Sequence, residues 1–201
     1  MPDVRVYFSK LGSLKYISHL DLQRAVARLL VRSGLPISYT EGFNPHPKLN
    51  IVLPLSVYQE GENEVFDFRL ESDVPEDEIV GKLNAKMFPG SRIIKAEYLD
   101  KKTQPVAAIY RIVMQTGLTP EDVKNAVSGS MVVMKRSKSG EKPVDIAPMI
   151  KLVDVTKEGD ALTMRVKLPA SGSEYLNPSY IGDHFADKAC VKRIVREEII
   201  F

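Results

Sequence analysis

The sequence predicts an α+β chain of two tandem β-α-β-β-α-β halves, residues 1–102 and 103–201, the second with an extra hairpin strand. Three observations carry this. Alternating apolar segments and capped helical stretches follow one another in the same order twice. The polar run Lys101-Lys-Thr-Gln-Pro-Val106 separates the two passes as a connector. The order itself is that of the ferredoxin-like arrangement. Only the element order repeats, because no sequence motif recurs between the halves.

In the first half, Val4–Phe8 alternates and reads as a strand. Ser18 is an N-cap, and Asp21 three residues on completes a capping-box pattern with Asp in the Glu place. The helix runs to about Ser33, where Gly34 takes a C′-like position and Pro36 blocks continuation. Leu22, Val26 or Ala25, Leu29 and Leu30 form its packing stripe. Ile37–Thr40 and Leu49–Val57 read as strand pieces broken by a proline loop, and Glu64–Leu70 alternates as a further strand. Pro75 opens an acidic first turn, Glu76-Asp77-Glu78, of a helix ending near Phe88-Pro89-Gly90. Arg92–Leu99 closes the half as a strand.

In the second half, Ala107–Thr116 is a strand, and Thr119, Pro120 and Asp122 mark a helix start. Met131–Arg136 reads as a strand, followed by Lys138–Pro143 as a flexible basic loop. Met149–Val155 and Ala161–Leu168 flank Lys157-Glu-Gly-Asp160, a hairpin signal. Asn177-Pro178 opens a short helix, and Ala189–Phe201 is a closing strand. Right-handed crossovers put both helices of a half on one sheet face, which leaves the other face free as a platform.

With 201 residues the chain can bury one large core or two small ones. Its 44% apolar and 27% charged residues exclude the disordered and collagen-like classes. The net charge of +2 is uneven: residues 1–56 carry +4, 57–100 carry −6 and 101–201 carry +4. The basic character is therefore local. A single cysteine, Cys190, excludes an internal disulfide and a cysteine-rich metal or iron–sulfur site, and favours a reducing, cytoplasmic setting. Met1-Pro-Asp-Val-Arg5 has no apolar segment of a secretory signal, and no apolar run approaches a membrane span.

Candidate functional residues concentrate between 12 and 56. Arg24, Arg28 and Arg32 follow at intervals of four, with no acidic residue between Gln23 and Thr40. Gly42-Phe43-Asn44-Pro45-His46-Pro47-Lys48 has two prolines that fix φ and remove donors, so it is neither helix nor central strand. Such a loop is presented, with an aromatic face on Phe43, hydrogen bonds on Asn44 and His46, and a charge on Lys48. Aromatic faces beside cations are what single-stranded nucleic acid requires. The alternative is a tight turn whose Phe43 enters the core. Lys15, His19, Asn44, His46 and Lys48 are expected to converge on one concave surface, because the helix N-terminus at Ser18 favours anions.

The runs Lys15-Tyr-Ile-Ser-His-Leu-Asp-Leu-Gln-Arg24, Gly34-Leu-Pro-Ile-Ser-Tyr39, Gly42–Lys48 and Pro54-Leu55 resemble the radical SAM-linked protein family. This is a bacterial domain of unknown function fused to, or encoded beside, radical SAM proteins. The resemblance is strong over residues 3–70 and continues more weakly through Arg136, Val144-Asp145-Ile146 and Asn177-Pro178. It implies a radical SAM partner that carries S-adenosylmethionine and an iron–sulfur cluster, with no cofactor on this chain. Members of that family commonly sit near genes of ribosome and RNA metabolism, so the resemblance implies an RNA-related role by association. A distant likeness in element order to the repeat-associated RNA-binding proteins of CRISPR systems, built from tandem ferredoxin-like folds, points the same way.

The chain has no GxGxxG, Walker, HExxH, GxSxG or CxxxCxxC motif, and His19, His46 and His184 lack metal-ligand spacing. The leading expectation is a non-catalytic accessory that binds RNA or presents substrate to a radical SAM enzyme. Its RNA-binding residues would be Lys15, Tyr16, His19, Arg24, Arg28, Arg32, Phe43, Asn44, His46 and Lys48. One alternative is a metal-independent endoribonuclease with His19 or His46 as the acid/base group. Another is a protein-interaction module that uses the negative 57–100 region.

Overall fold

The computed structural model describes residues 1–137 and 140–201 of the chain. It is a mixed α+β structure with antiparallel strands and few helices, dividing into two compact units, Met1–Gln104 and Pro105–Phe201. The boundary expected from the sequence, after residue 102, lies two residues earlier.

The first unit contains β1 (Asp3–Lys10), a 3₁₀ turn (Gly12–Tyr16), α1 (His19–Arg32), β2 (Leu49–Ile51), β3 (Glu60–Arg69), α2 (Glu76–Asn84) and β4 (Ile93–Leu99). β1 pairs with β4 on one side and β3 on the other, and β2 pairs with β3. The alternation of β1 sends Val4, Val6 and Phe8 to one face, where they join Phe66, Phe68 and Leu70 from β3 and its end. Leu22, Val26, Leu29 and Leu30 of α1 and Ile79 and Leu83 of α2 complete this core.

The opposite face of the same strands is polar and its charges engage one another. Arg5 forms a two-pronged pair with Asp67, through Nε at 2.8 Å and Nη2 at 3.0 Å, and also donates to Thr103 of the connector. Arg69 makes a similar fork with Asp3, at 3.0 and 2.9 Å. Tyr7 donates to Glu97 at 2.8 Å, and burial together with that carboxylate pushes its hydroxyl up to about 12. Asp3 is held below the usual carboxylate range, chiefly by its hydrogen bond from Arg69. The expectation of a free face is therefore corrected in this unit. Arg5 is only 2% exposed, because a guanidinium between two strands needs its carboxylate and the connector as partners.

The second unit contains β5 (Ala107–Thr116), α3 (Pro120–Ser128), β6 (Val132–Ser137), β7 (Gly140–Asp145), β8 (Lys151–Glu158), β9 (Ala161–Pro169), α4 (Ser179–His184) and β10 (Ala189–Ile200). Its main sheet has the same pairing scheme as the first: the last strand beside the first, then the strand before the second helix, then that strand's hairpin partner. Thr119 and Asp122 make a full capping box, with the Thr119 hydroxyl accepting from Asp122 N–H and the Asp122 carboxylate accepting from Thr119 N–H. Asp145 accepts from the N–H groups of Met131 and Ala147, which hold its carboxyl below the usual range. Glu197 bridges Arg111 and Arg165 across three strands, at 2.7 and 2.8 Å.

Several predicted elements change. The strand Leu49–Val57 shrinks to Leu49–Ile51, because Pro54 removes a ladder donor and the chain turns away from β3. α2 stops at Asn84 rather than near Phe88, where the Asn84 side chain turns to bond both backbone groups of Ile93. The basic loop expected at 138–143 is strand β7 from Gly140 onward, and its residues 138 and 139 lie outside the described residues. Pro143 faces Met134 in a separate two-stranded sheet with β6, where one missing donor is tolerated. The second unit thus carries two additional strands rather than one. β8 begins at Lys151 because Pro148 lies in a 3₁₀ turn at Ala147–Met149. The Ser18 cap forms only half of the expected box: its hydroxyl accepts from Asp21 N–H but donates to the Asp21 carboxylate.

Asp67→Ala strands the buried Arg5 guanidinium without its carboxylate and is expected to cost about 3–5 kcal/mol. Urea unfolding measures this, and a loss under about 1 kcal/mol, the range of exposed pairs, would show that the site rehydrates.

Candidate nucleic-acid interface

The sequence fixes which side of α1 meets water. Leu22, Val26, Leu29 and Leu30 are buried, so Arg24, Arg28 and Arg32 emerge exposed. Arg24 lies 3.3 Å from Asp21 one turn back, an exposed pair that water screens. Arg32 donates to the carbonyl of Arg28 at 3.3 Å. Among the described residues, neither Arg28 nor Arg32 meets a carboxylate within ion-pair distance.

Two grooves flank this row of arginines. One of about 260 Å³ is lined by Ala27, Arg28, Val31, Arg32 and Pro47, so the proline loop reaches α1 at its stem. The other, of about 360 Å³, runs between Ile17, Asp21 and Ala25 and the Phe88-Pro89 turn, again with Arg28 and Arg32 on its wall. Both couple an apolar floor to a guanidinium rim.

The loop is a closed device. Tyr39 and Pro47 bridge, Lys48 N–H donates to Ser38 O at 2.9 Å, and Thr40 N–H donates to His46 O at 2.8 Å. Thr40 Oγ1 accepts from His46 N–H at 3.1 Å and lies 2.6 Å from His46 Nδ1. The imidazole is thereby oriented by Thr40. Gly42, at φ 112°, makes the bend at the tip that an L side chain resists. Phe43 beside it is fully exposed, so the alternative in which it enters the core does not hold. Asn44 and His46 are exposed as well.

A second aromatic group lies at the start of α1. Lys15 Nζ is 5.2 Å from the ring centroid of Tyr16, and Tyr16 meets Tyr58 edge to face at 5.8 Å. Both rings are exposed. His19 is half-buried in the first turn, and its Nδ1 is buried with no hydrogen-bond partner among the described residues.

The two grooves are not lined by Lys15, His19, Asn44, His46 or Lys48, the residues expected to converge, and Lys48 lies elsewhere. It lines a separate depression of about 280 Å³ with Asp3, Asn50, Arg69 and Lys102, not the groove that Pro47 borders. The alternation of the extended chain explains this, since neighbours 47 and 48 point to opposite sides. Sequence reasoning missed Tyr58, Val31 and the Phe88-Pro89 wall. The only signal for Tyr58 is an aromatic in the short turn before β3, and a positive φ at a tyrosine cannot be read from sequence.

The chain matches the family model described as "Uncharacterized protein conserved in bacteria (DUF2344)" over residues 4–178. It belongs to that family. No curated protein matches it. Among solved structures it resembles a chain from "Crystal Structure of a Cbf5-Nop10-Gar1 Complex", with a TM-score of 0.50 and 14% identity. That match covers 98% of this chain and 48% of the other, so this protein spans about half the length of the chain it resembles. At this identity the likeness concerns the fold alone. Among the described residues no helix is long and apolar enough to cross a membrane, and no group of three or more His, Cys, Asp and Glu could hold a metal ion.

Thr40→Val removes the hydroxyl that holds His46 while leaving the core of the first unit untouched. The amides of Gly42, Phe43, Asn44 and His46 should then exchange with solvent faster, and global stability should fall by no more than about 1 kcal/mol. Unchanged exchange at His46 would mean that the prolines alone fix the loop.

Proposed function

We propose that this protein binds single-stranded RNA through the outer side of α1 and the loop 42–47, as an accessory to a radical SAM enzyme. The observation that carries the reading is the juxtaposition of Arg28 and Arg32, which meet no carboxylate among the described residues, with a pinned loop that holds Phe43 in water. A solvated charge stripe needs no such loop, and a structural loop has no use for a fully exposed phenylalanine. Guanidinium groups take phosphates while an aromatic face takes bases, at an energy of about 1–3 kcal/mol per stacked base. Lys15, Tyr16 and His46 add a further cation, a ring and an oriented imidazole to the same unit.

In this reading the two units are tandem ferredoxin-like folds, the second carrying the β6–β7 hairpin as an insertion. The repeated pairing scheme of the two sheets supports it. The radical SAM partner would supply S-adenosylmethionine, the iron–sulfur cluster and the chemistry, while this chain supplies recognition and positioning. Support for that partner comes from the sequence resemblance across 15–55. His19 gains nothing toward an acid/base role, since its buried Nδ1 has no hydrogen-bond partner among the described residues.

Replacing Arg24, Arg28 and Arg32 together by alanine should leave the fold intact, because all three are exposed. It should weaken binding of a labelled single-stranded RNA and reduce the slope of log K against log salt by about 2. A salt series that superimposes on the unmodified protein would remove α1 from the interface.

A further inference from the structure

Tyr58 is the single non-glycine residue with positive φ among the described residues, at 69°. An L side chain resists this conformation, whereas glycine adopts it freely. Packing does not compensate, because the Tyr58 side chain is 71% exposed. Its backbone is held in place by its N–H, which donates to Lys15 O at 2.7 Å and ties the turn before β3 to the 3₁₀ turn before α1. That bond would survive a glycine. The turn therefore keeps a strained residue whose ring stands in water, and strain of this kind gathers where a side chain is displayed for use.

What the ring meets suggests the use. Tyr16 lies against it at an interplanar angle of 83°, so the two rings form a step rather than a closed stack, and both stay exposed. Tyr16 is itself 59% exposed, and Lys15 places its ammonium over that ring, 5.2 Å from the centroid. An exposed aromatic step with a cation over one ring complements a base joined to a phosphate. An acidic peptide would use the cation but not the exposed rings. We infer that Tyr16 and Tyr58 form a stacking subsite for one unpaired RNA base, with Lys15 on the adjoining phosphate. This deepens the RNA-binding reading and rests on it.

The test titrates the full chain with two labelled probes of equal length and charge, an oligoadenylate and an oligomer of abasic ribose phosphates. The unmodified protein should prefer the oligoadenylate. Tyr58→Gly should lose about tenfold of that binding, leave the abasic oligomer unaffected, and melt no lower than the parent. Tyr58→Phe should keep the preference, and Tyr16→Ala should lose it. If Tyr58→Gly binds both probes as the parent does, or weakens both equally, the stacking subsite is wrong while RNA binding stands. If the unmodified chain binds neither probe, the RNA-binding reading fails and takes this inference with it.

Discussion

The rotational setting of α1 is the constraint from which the proposed interface follows. Four side chains, Leu22, Val26, Leu29 and Leu30, are buried against β1, β3 and α2. Each is worth about 1.5–3 kcal/mol of burial, so exposing them by turning the helix would cost far more than any surface charge contributes. The helix cannot rotate to relieve its arginines. Arg24, Arg28 and Arg32 therefore stand in water because the apolar stripe leaves them nowhere else, and the segment 23–40 provides no acid to quiet them. A core requirement thus creates a charged surface, which the 42–47 loop and the Phe88-Pro89 turn then shape into grooves.

The two displayed aromatic groups are made rigid by different means. At Phe43 the chain is closed by Thr40 and His46 below the tip, and Gly42 takes the left-handed bend without strain. At Tyr58 the strained conformation falls on the aromatic residue itself, with the backbone tied to Lys15. Rigid presentation lowers the entropy lost when a flexible strand binds, which is where single-strand recognition is weakest. The polar face of the same sheet behaves differently. Arg5, Asp67, Asp3 and Arg69 satisfy each other, so that face holds the strands together rather than offering charge to a ligand.

Much of this was legible in the sequence, for physical reasons that can be named. Ser18 with Gly34 bounded α1 closely, since cap chemistry is local; Gly34 does take the positive φ, 71°, that a C′ glycine allows. Thr119 with Asp122, and the Gly159 turn between β8 and β9, were read from equally local signals. The exposed arginines followed from helical periodicity alone. What was not legible depended on tertiary contact. The stretch Lys138–Pro143 reads as a flexible loop, yet β7 pairs with β6 from Gly140 onward, where the donor missing at Pro143 is tolerated. Lys48 looked like a partner of the loop, but its strand alternation carries it to another depression. Tyr58 gave no warning, because its backbone conformation is imposed by Lys15 across more than forty residues of chain.

Ultraviolet crosslinking in the native cell, followed by mapping of RNA-bound peptides, tests the central claim most directly. The account predicts crosslinks in the peptides that contain Tyr16, Phe43 and Tyr58, and their loss when Arg24, Arg28 and Arg32 are replaced. Recovery of the protein without RNA, or crosslinks confined to residues 105–201, would contradict it.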